Sequence, residues 1–206
     1  MSLFPMFVKL EGRRVVVVGG GEIATSKMDG LRQAGASIVV VSPALNAQLT
    51  ALASENKIAW RQKEFSAEDL HDAFLVIAAT SVPSVNESVY RAAEARGLLC
   101  NAVDDIANCH FYYGAVVQRG DLQIAISTNG KSPALAQRLR KELESQFGSE
   151  YENWLEWLGA AREALRAAGA SQQASNKKLL HSLASPEMFA RYLRESNRKP
   201  STGGVE

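Results

Sequence analysis

Residues 14–24 read Arg-Val-Val-Val-Val-Gly-Gly-Gly-Glu-Ile-Ala (RVVVVGGGEIA), and their order decides the fold. Four consecutive valines supply the β-branched side chains of a strand buried on both faces. Gly19-Gly20-Gly21-Glu22-Ile23-Ala24 then matches G-x-G-x-x-A, directly after that strand and opening a helix. In this setting the first glycine permits the tight turn, Gly21 lets a pyrophosphate approach the backbone, and Ala24 keeps the helix close to the sheet. Free amides at the helix start face the phosphates. The stretch predicts a dinucleotide-binding turn.

The pattern repeats outward from it. A helix from Glu22 to about Ala34, closed by Gly35, leads to a second strand, Ser37–Val41, stopped at Ser42-Pro43. Leu45, Leu49 and Leu52 recur at helical spacing, Ile58–Trp60 reads as a short strand, and Phe74–Ala79 as a buried one. Val85–Ala95 is expected to be helical, with Leu98–Val103 a further strand. Strand and helix in alternation predict a parallel sheet with right-handed crossovers. After Asp105 the rhythm changes. Tyr112–Gln118 and Leu122–Thr128 flank Arg119-Gly120-Asp121 as an antiparallel hairpin. Ser132-Pro133 opens a helix carrying Leu135, Leu139, Leu143 and Phe147 on one face. Helical patterns continue through Trp154, Leu158, Ala161 and Leu165 and again from Lys177 to Arg194, before a loose tail at Lys199–Glu206. The fold class is therefore α/β: a Rossmann-type sheet, a hairpin-and-helix segment and a small helical C-terminal domain, with boundaries at 1–112, 113–148 and 149–206.

Composition excludes several classes. A length of 206 residues is enough to bury a core, and a net charge of +1 argues against a dedicated nucleic-acid binder. The longest apolar run, Val15–Val18 with its glycines, is far short of a membrane span, and the N-terminus lacks the apolar core of a signal peptide. Cys100 and Cys109 form neither a CxxC pair nor a disulfide framework, as expected in a reducing cytoplasm.

One usual element is missing from the dinucleotide reading. An acid commonly ends the second strand and holds the adenosine ribose, whereas this strand ends Val41-Ser42-Pro43-Ala44. Ser42 or backbone groups remain to bond the ribose. No arginine stands there for a 2′-phosphate, which favours NAD over NADP. The candidate cofactor set is Gly19, Gly20, Gly21, Glu22, Ile23, Ser42, Pro43, Ala44 and Thr80.

Two further segments carry chemistry. Asn101-Ala-Val-Asp-Asp105 follows a strand at its carboxyl end, where open α/β sheets place ligands. Asp104 is the candidate site residue, able to accept a proton or touch a divalent metal, while Asp105 reads either as a cap or as part of the site. Thr128-Asn129-Gly130-Lys131-Ser132-Pro133 joins a strand to a helix. Its free amides and Lys131 suit a carboxylate-bearing ligand, and capping by Ser132 is compatible with that. His110 beside Cys109 invites a metal reading, but two ligands are not a site. The set Tyr151, Trp154 and Trp157 is spaced for packing on a helix face.

From about Phe4 to Gly148 the chain resembles the bifunctional precorrin-2 dehydrogenase and sirohydrochlorin ferrochelatase family of siroheme synthesis. Five ordered motifs carry the resemblance: Phe4-Pro-Met-Phe7; Val18-Gly-Gly-Gly-Glu-Ile-Ala24 with Lys27; Ala78-Ala-Thr80; Cys100-Asn-Ala-Val-Asp104; and Ser127-Thr-Asn-Gly-Lys-Ser-Pro133. The resemblance implies that NAD accepts a hydride from precorrin-2 to give sirohydrochlorin, and that Fe²⁺ is then inserted, with Co²⁺ as an open alternative. It implies Asp104 as the catalytic carboxylate of both steps and a transient metal contact. Asn101, Thr128, Asn129, Gly130, Lys131 and Ser132 are implied to meet the tetrapyrrole. Thr128 stands where some relatives carry a phosphorylatable serine. The family is also homodimeric through the segment after the Rossmann domain. No methyltransferase domain is found before Glu206, so a separate protein is expected to supply precorrin-2. Two alternatives stay open: a dehydrogenase without chelatase activity, and a non-catalytic NAD-binding redox sensor.

Overall fold

The computed structural model describes residues 3–167 and 173–196. The expected tail at Lys199–Glu206 lies outside them. The chain divides into two compact units, Leu3–Tyr113 and a second that begins at Gly114.

In the first unit, five strands, β1 (Arg14–Val18), β2 (Ser37–Val41), β3 (Ala59–Arg61), β4 (Leu75–Ala78) and β5 (Leu99–Ala102), form one parallel sheet in the order β3-β2-β1-β4-β5. Helices α1 (Glu22–Gln33), α2 (Ala47–Ser54) and α3 (Pro83–Glu94) make the crossovers. Side chains alternate across the pleat, so the valines of β1 feed two cores. Val15 and Val17 pack with Met28, Leu31 and Leu49 of α1 and α2. Val16 and Val18 pack with Val89 and Ala93 of α3. The sheet is thus covered on both faces, which is why its central strands read as unbroken apolar runs.

Edge strand β3 is the exception. All three of its residues are exposed, and it lies one residue later than Ile58–Trp60 because Ile58 turns into the core before pairing begins. Beyond it the chain is pinned by Asp69, which is only 2% exposed. Asp69 pairs with Arg61 at 3.1 Å and Lys63 at 3.0 Å and accepts from the Ser66 amide at 2.9 Å. Burial pushes this carboxyl up, but the Ser66 amide and the two cations outweigh it and hold the group below its ordinary value.

The second unit opens with the hairpin β6 (Ala115–Arg119) and β7 (Leu122–Ile126), turned at Gly120-Asp121. Helices α4 (Pro133–Gln146) and α5 (Glu150–Ala167) follow. The helix expected over Lys177–Arg194 is two helices, α6 (Gln173–Leu183) and α7 (Pro186–Ser196). Pro186 lacks the amide needed to continue a helix, and Ser185 instead accepts from the Met188 amide at 3.3 Å. Tyr151 and Trp154 of α5 stack on Phe189 of α7, each with ring centroids 4.5 Å apart, so these aromatics are packing residues.

Candidate functional site

Strand register brings the carboxyl ends of the sheet level. Val18 pairs with Val41 on one side and Ala78 on the other, and Ala78 pairs with Ala102. The residues after each strand therefore emerge along one edge. Strand order reverses between β1 and β4, the switch point where open α/β sheets bind ligands. There a cleft of ≈ 660 Å³ opens, lined by Gly19–Ile23, Ser42, Pro43 and Thr80 among others.

The three glycines of the turn do different work. Gly19 has φ +124°, and a Cβ there would lie 2.3 Å from the Ala79 carbonyl oxygen. At Gly20 a Cβ would lie 1.9 Å from the Ala44 oxygen, so the loop after β2 closes directly on the turn. Gly21 faces open space, with nothing within 4 Å of its Cβ position. It is also the N-cap of α1 and offers no side-chain hydrogen bond to that helix end. Amides left without a capping side chain beside open space form a cradle for an anion. The residues present thus fit a dinucleotide pyrophosphate.

Of the candidate cofactor residues, all but Ala44 line this cleft. Ala44 acts through its carbonyl, which abuts Gly20 and accepts the Ser42 hydroxyl at 2.7 Å. Two asparagines missed in the sequence hold the walls. Asn46 donates to Glu22 at 3.0 Å and Thr25 at 2.9 Å, and its own amide donates to the Gly20 carbonyl at 2.8 Å. Asn86, buried on α3, accepts from the Thr80 amide at 3.1 Å and the Thr80 hydroxyl at 2.7 Å, and donates to the Thr80 carbonyl at 3.0 Å. Asn46 reads as the N-cap of α2 and Asn86 as a polar residue of an amphipathic helix, and neither shows its further role until the facing loop is known. Glu64 and Phe65, which also line the cleft, were hidden by the shortness of β3.

Asp104 follows β5 with φ +61°, the left-handed region that costs a non-glycine residue about 1 kcal/mol. It is exposed, and its carboxylate has no hydrogen-bond or ion-pair partner among the described residues. Asp105 is instead a cap, accepting from the amides of Ala107 at 3.1 Å and Asn108 at 3.3 Å. Asn101 is buried, and its amide donates to the Phe111 carbonyl at 2.8 Å and to Cys109 Sγ at 3.3 Å. His110 is fixed by structure: its ring stacks on Tyr90 at 4.8 Å and Nδ1 accepts from the Cys100 amide at 3.1 Å. Burial pushes the Cys100 thiol up to about 12 and raises Cys109 as well, so neither is a ready thiolate. Among the described residues, no group of three or more His, Cys, Asp or Glu is placed to hold a metal.

In the second unit the Thr128–Ser132 turn is held from within. The Thr128 hydroxyl accepts from the Ser132 amide at 3.3 Å and faces its carbonyl at 3.1 Å, while Ser132 caps α4 through the Leu135 amide at 3.2 Å. Asn129 and Gly130 have φ +55° and +74°, and Lys131 is exposed.

A doubly wound sheet with a glycine cradle at its switch point defines a dinucleotide-binding domain. Residues 6–115 match the family model described as putative NAD(P)-binding, and the chain belongs to that family. Residues 119–146 match the model described as sirohaem biosynthesis protein central, in line with the resemblance that the five motifs carry. The siroheme synthase of Neisseria meningitidis serogroup C (strain 053442) is 42% identical over 167 residues, covering 81% of this chain and 35% of that protein. The siroheme synthase of Mannheimia succiniciproducens is 43% identical over 145 residues, covering 70% and 30% respectively. The chain thus spans about a third of the length of these relatives. The solved structure of SirC, a precorrin-2 dehydrogenase, superposes with a TM-score of 0.78 at 27% identity, covering 94% of this chain and 100% of that one. Among the described residues no helix is long and apolar enough to cross a membrane.

Proposed function

We propose that this chain catalyses the NAD⁺-dependent dehydrogenation of precorrin-2 to sirohydrochlorin. The observation that carries the reading is Asp104: a strained, exposed carboxylate, unpartnered among the described residues, on the same sheet edge as the glycine cradle. The likeness to SirC over its whole length supports the same substrate.

Gly19–Ile23, Ser42, Pro43 and Thr80 hold the cofactor, whose bound nicotinamide supplies the hydride acceptor. The substrate loses a hydride and a proton, and the Asp104 carboxylate takes the proton. The amides of Asn129, Lys131 and Ser132, expected to be free, are spent inside the turn on Ser127 and Thr128, so the exposed Lys131 ammonium is the group that receives a carboxylate of the substrate. The chain goes on to insert Fe²⁺, a substrate in this step, with Asp104 accepting the pyrrole protons that the metal displaces. It works as a homodimer in the cytoplasm: Val116 of β6 and Leu135 of α4 stay 42% and 39% exposed, an apolar surface that a second copy would cover. A non-catalytic redox sensor has no use for the strain at Asp104. The test is to supply the full chain anaerobically with precorrin-2 and NAD⁺ and follow sirohydrochlorin absorbance. Adding Fe²⁺ to the product, against the uncatalysed rate, tests the second step.

A further inference from the structure

The end of β2 leaves the adenosine half of a dinucleotide without its usual acid. Ser42 does not replace it fully, since its hydroxyl donates to the Ala44 carbonyl at 2.7 Å and its carbonyl accepts from Trp60 Nε1 at 2.9 Å. The neighbouring strand does reach the same place. Val41 pairs with Arg61, and the Ser42 amide continues the ladder to the Arg61 carbonyl at 3.2 Å, so the chain after β3 emerges beside the chain after β2. Glu64 lies three residues beyond the end of β3 and lines the cleft with Pro43 and Phe65.

Charge in the cleft is one-sided. Among the described residues, the ionisable ones that line it are Glu22 and Glu64. Glu22 sits at the α1 start, engaged by Asn46 at 3.0 Å, whereas the Glu64 carboxylate has no partner among the described residues. The nearest cations in sequence, Arg61 and Lys63, are turned to Asp69 and do not line the cleft.

We propose that Glu64 is the acid that reads the adenosine moiety and sets the preference for NAD over NADP. This rests on the dinucleotide reading of the same cleft. A carboxylate with free lone pairs accepts from the hydroxyls and amine of an adenosine. The same carboxylate, in a cleft with no cation, repels a 2′-phosphate and leaves it unpaired. The acid has moved from the central strand to its edge neighbour.

Titration calorimetry of NAD⁺ and NADP⁺ on the full chain tests it. Wild type binds NAD⁺ more tightly by about tenfold or more, Glu64→Gln weakens NAD⁺ by about tenfold, and Glu64→Arg narrows or inverts the ratio. Glu64 is exposed, so these variants keep the wild-type melting temperature. Glu68→Gln, an exposed acid outside the cleft, leaves the ratio unchanged. The proposal is overturned if both Glu64 variants keep the wild-type ratio, if Glu68→Gln shifts it as much, or if wild type takes both nucleotides equally. Binding of neither nucleotide by wild type would instead sink the dinucleotide reading beneath it.

Discussion

Asp104 and Asp105 are adjacent in the chain and opposite in occupation. The Asp105 carboxylate accepts from the Ala107 and Asn108 amides and from Asn108 Nδ2 at 2.6 Å, while Asp104, with φ +61°, keeps its carboxylate exposed and without a partner among the described residues. The cap fixes the turn, and the turn presents the free acid at the sheet edge.

Asp104→Asn tolerates the same backbone and removes only the base. Turnover of precorrin-2 falls by about 10²-fold or more, while the NAD⁺ dissociation constant stays at the wild-type value. Asp104→Gly also loses turnover but gains stability, by about 0.5–1 kcal/mol, because glycine relieves the left-handed strain. Denaturant midpoints set beside rates check the pair; a Gly variant that is both less stable and fully active contradicts the role.

Gly20 and Gly21 separate folding from binding. Gly20→Ala forces a methyl into the Ala44 carbonyl and costs about 1–3 kcal/mol. Gly21→Ala meets nothing within 4 Å, so its melting temperature is unchanged, yet the methyl fills the space for the pyrophosphate and NAD⁺ affinity drops by about tenfold or more. Thermal melts and calorimetry on the two variants decide it.

Most of this was legible in residues 14–24. Four valines predict a doubly covered strand, and the structure divides them between two cores. Gly19–Ala24, Asp104 and the Thr128–Pro133 turn are local patterns, each readable from its flanking strand or helix. Asn46, Glu64 and Asn86 were not readable: Asn46 meets Glu22 and Thr25 across 24 and 21 residues, Glu64 follows a three-residue edge strand, and Asn86 turns from its helix to a loop whose course only the fold fixes. Asn101, expected from its motif to meet the ligand, also ties β5 to Phe111 through its side-chain amide, a role the motif alone does not reveal. The break at Pro186 was open to reading, since proline at a first helical position marks a start rather than a continuation.

Asp69 gives a pH signature. Its folded value is lowered, so its contribution is fully present above the ordinary carboxylate range and is lost as pH falls through the folded value below that range. Asp69→Asn lowers stability at neutral pH by about 1–2 kcal/mol, through the lost cap and ion pairs. Urea midpoints of wild type and variant converge in acid; an equal gap at neutral and acidic pH contradicts the assignment.

Lys131→Ala removes the exposed cation from the Thr128–Ser132 turn. KM for the tetrapyrrole rises several-fold with kcat nearly unchanged, and the difference shrinks at high salt as screening grows. Thr128→Val breaks the bond to the Ser132 amide and raises KM further, whereas Thr128→Ser preserves it. Steady-state kinetics at two ionic strengths check the series.

The proposed reaction is a hydride transfer from a tetrapyrrole to NAD⁺ with Asp104 as base. Its most direct test is the anaerobic stoichiometry of the full chain: NADH formed against precorrin-2 consumed. Wild type is expected to form equimolar NADH and sirohydrochlorin, and Asp104→Asn to form both more slowly, by about 10²-fold or more. Sirohydrochlorin formed without NADH, or at the wild-type rate by Asp104→Asn, contradicts it.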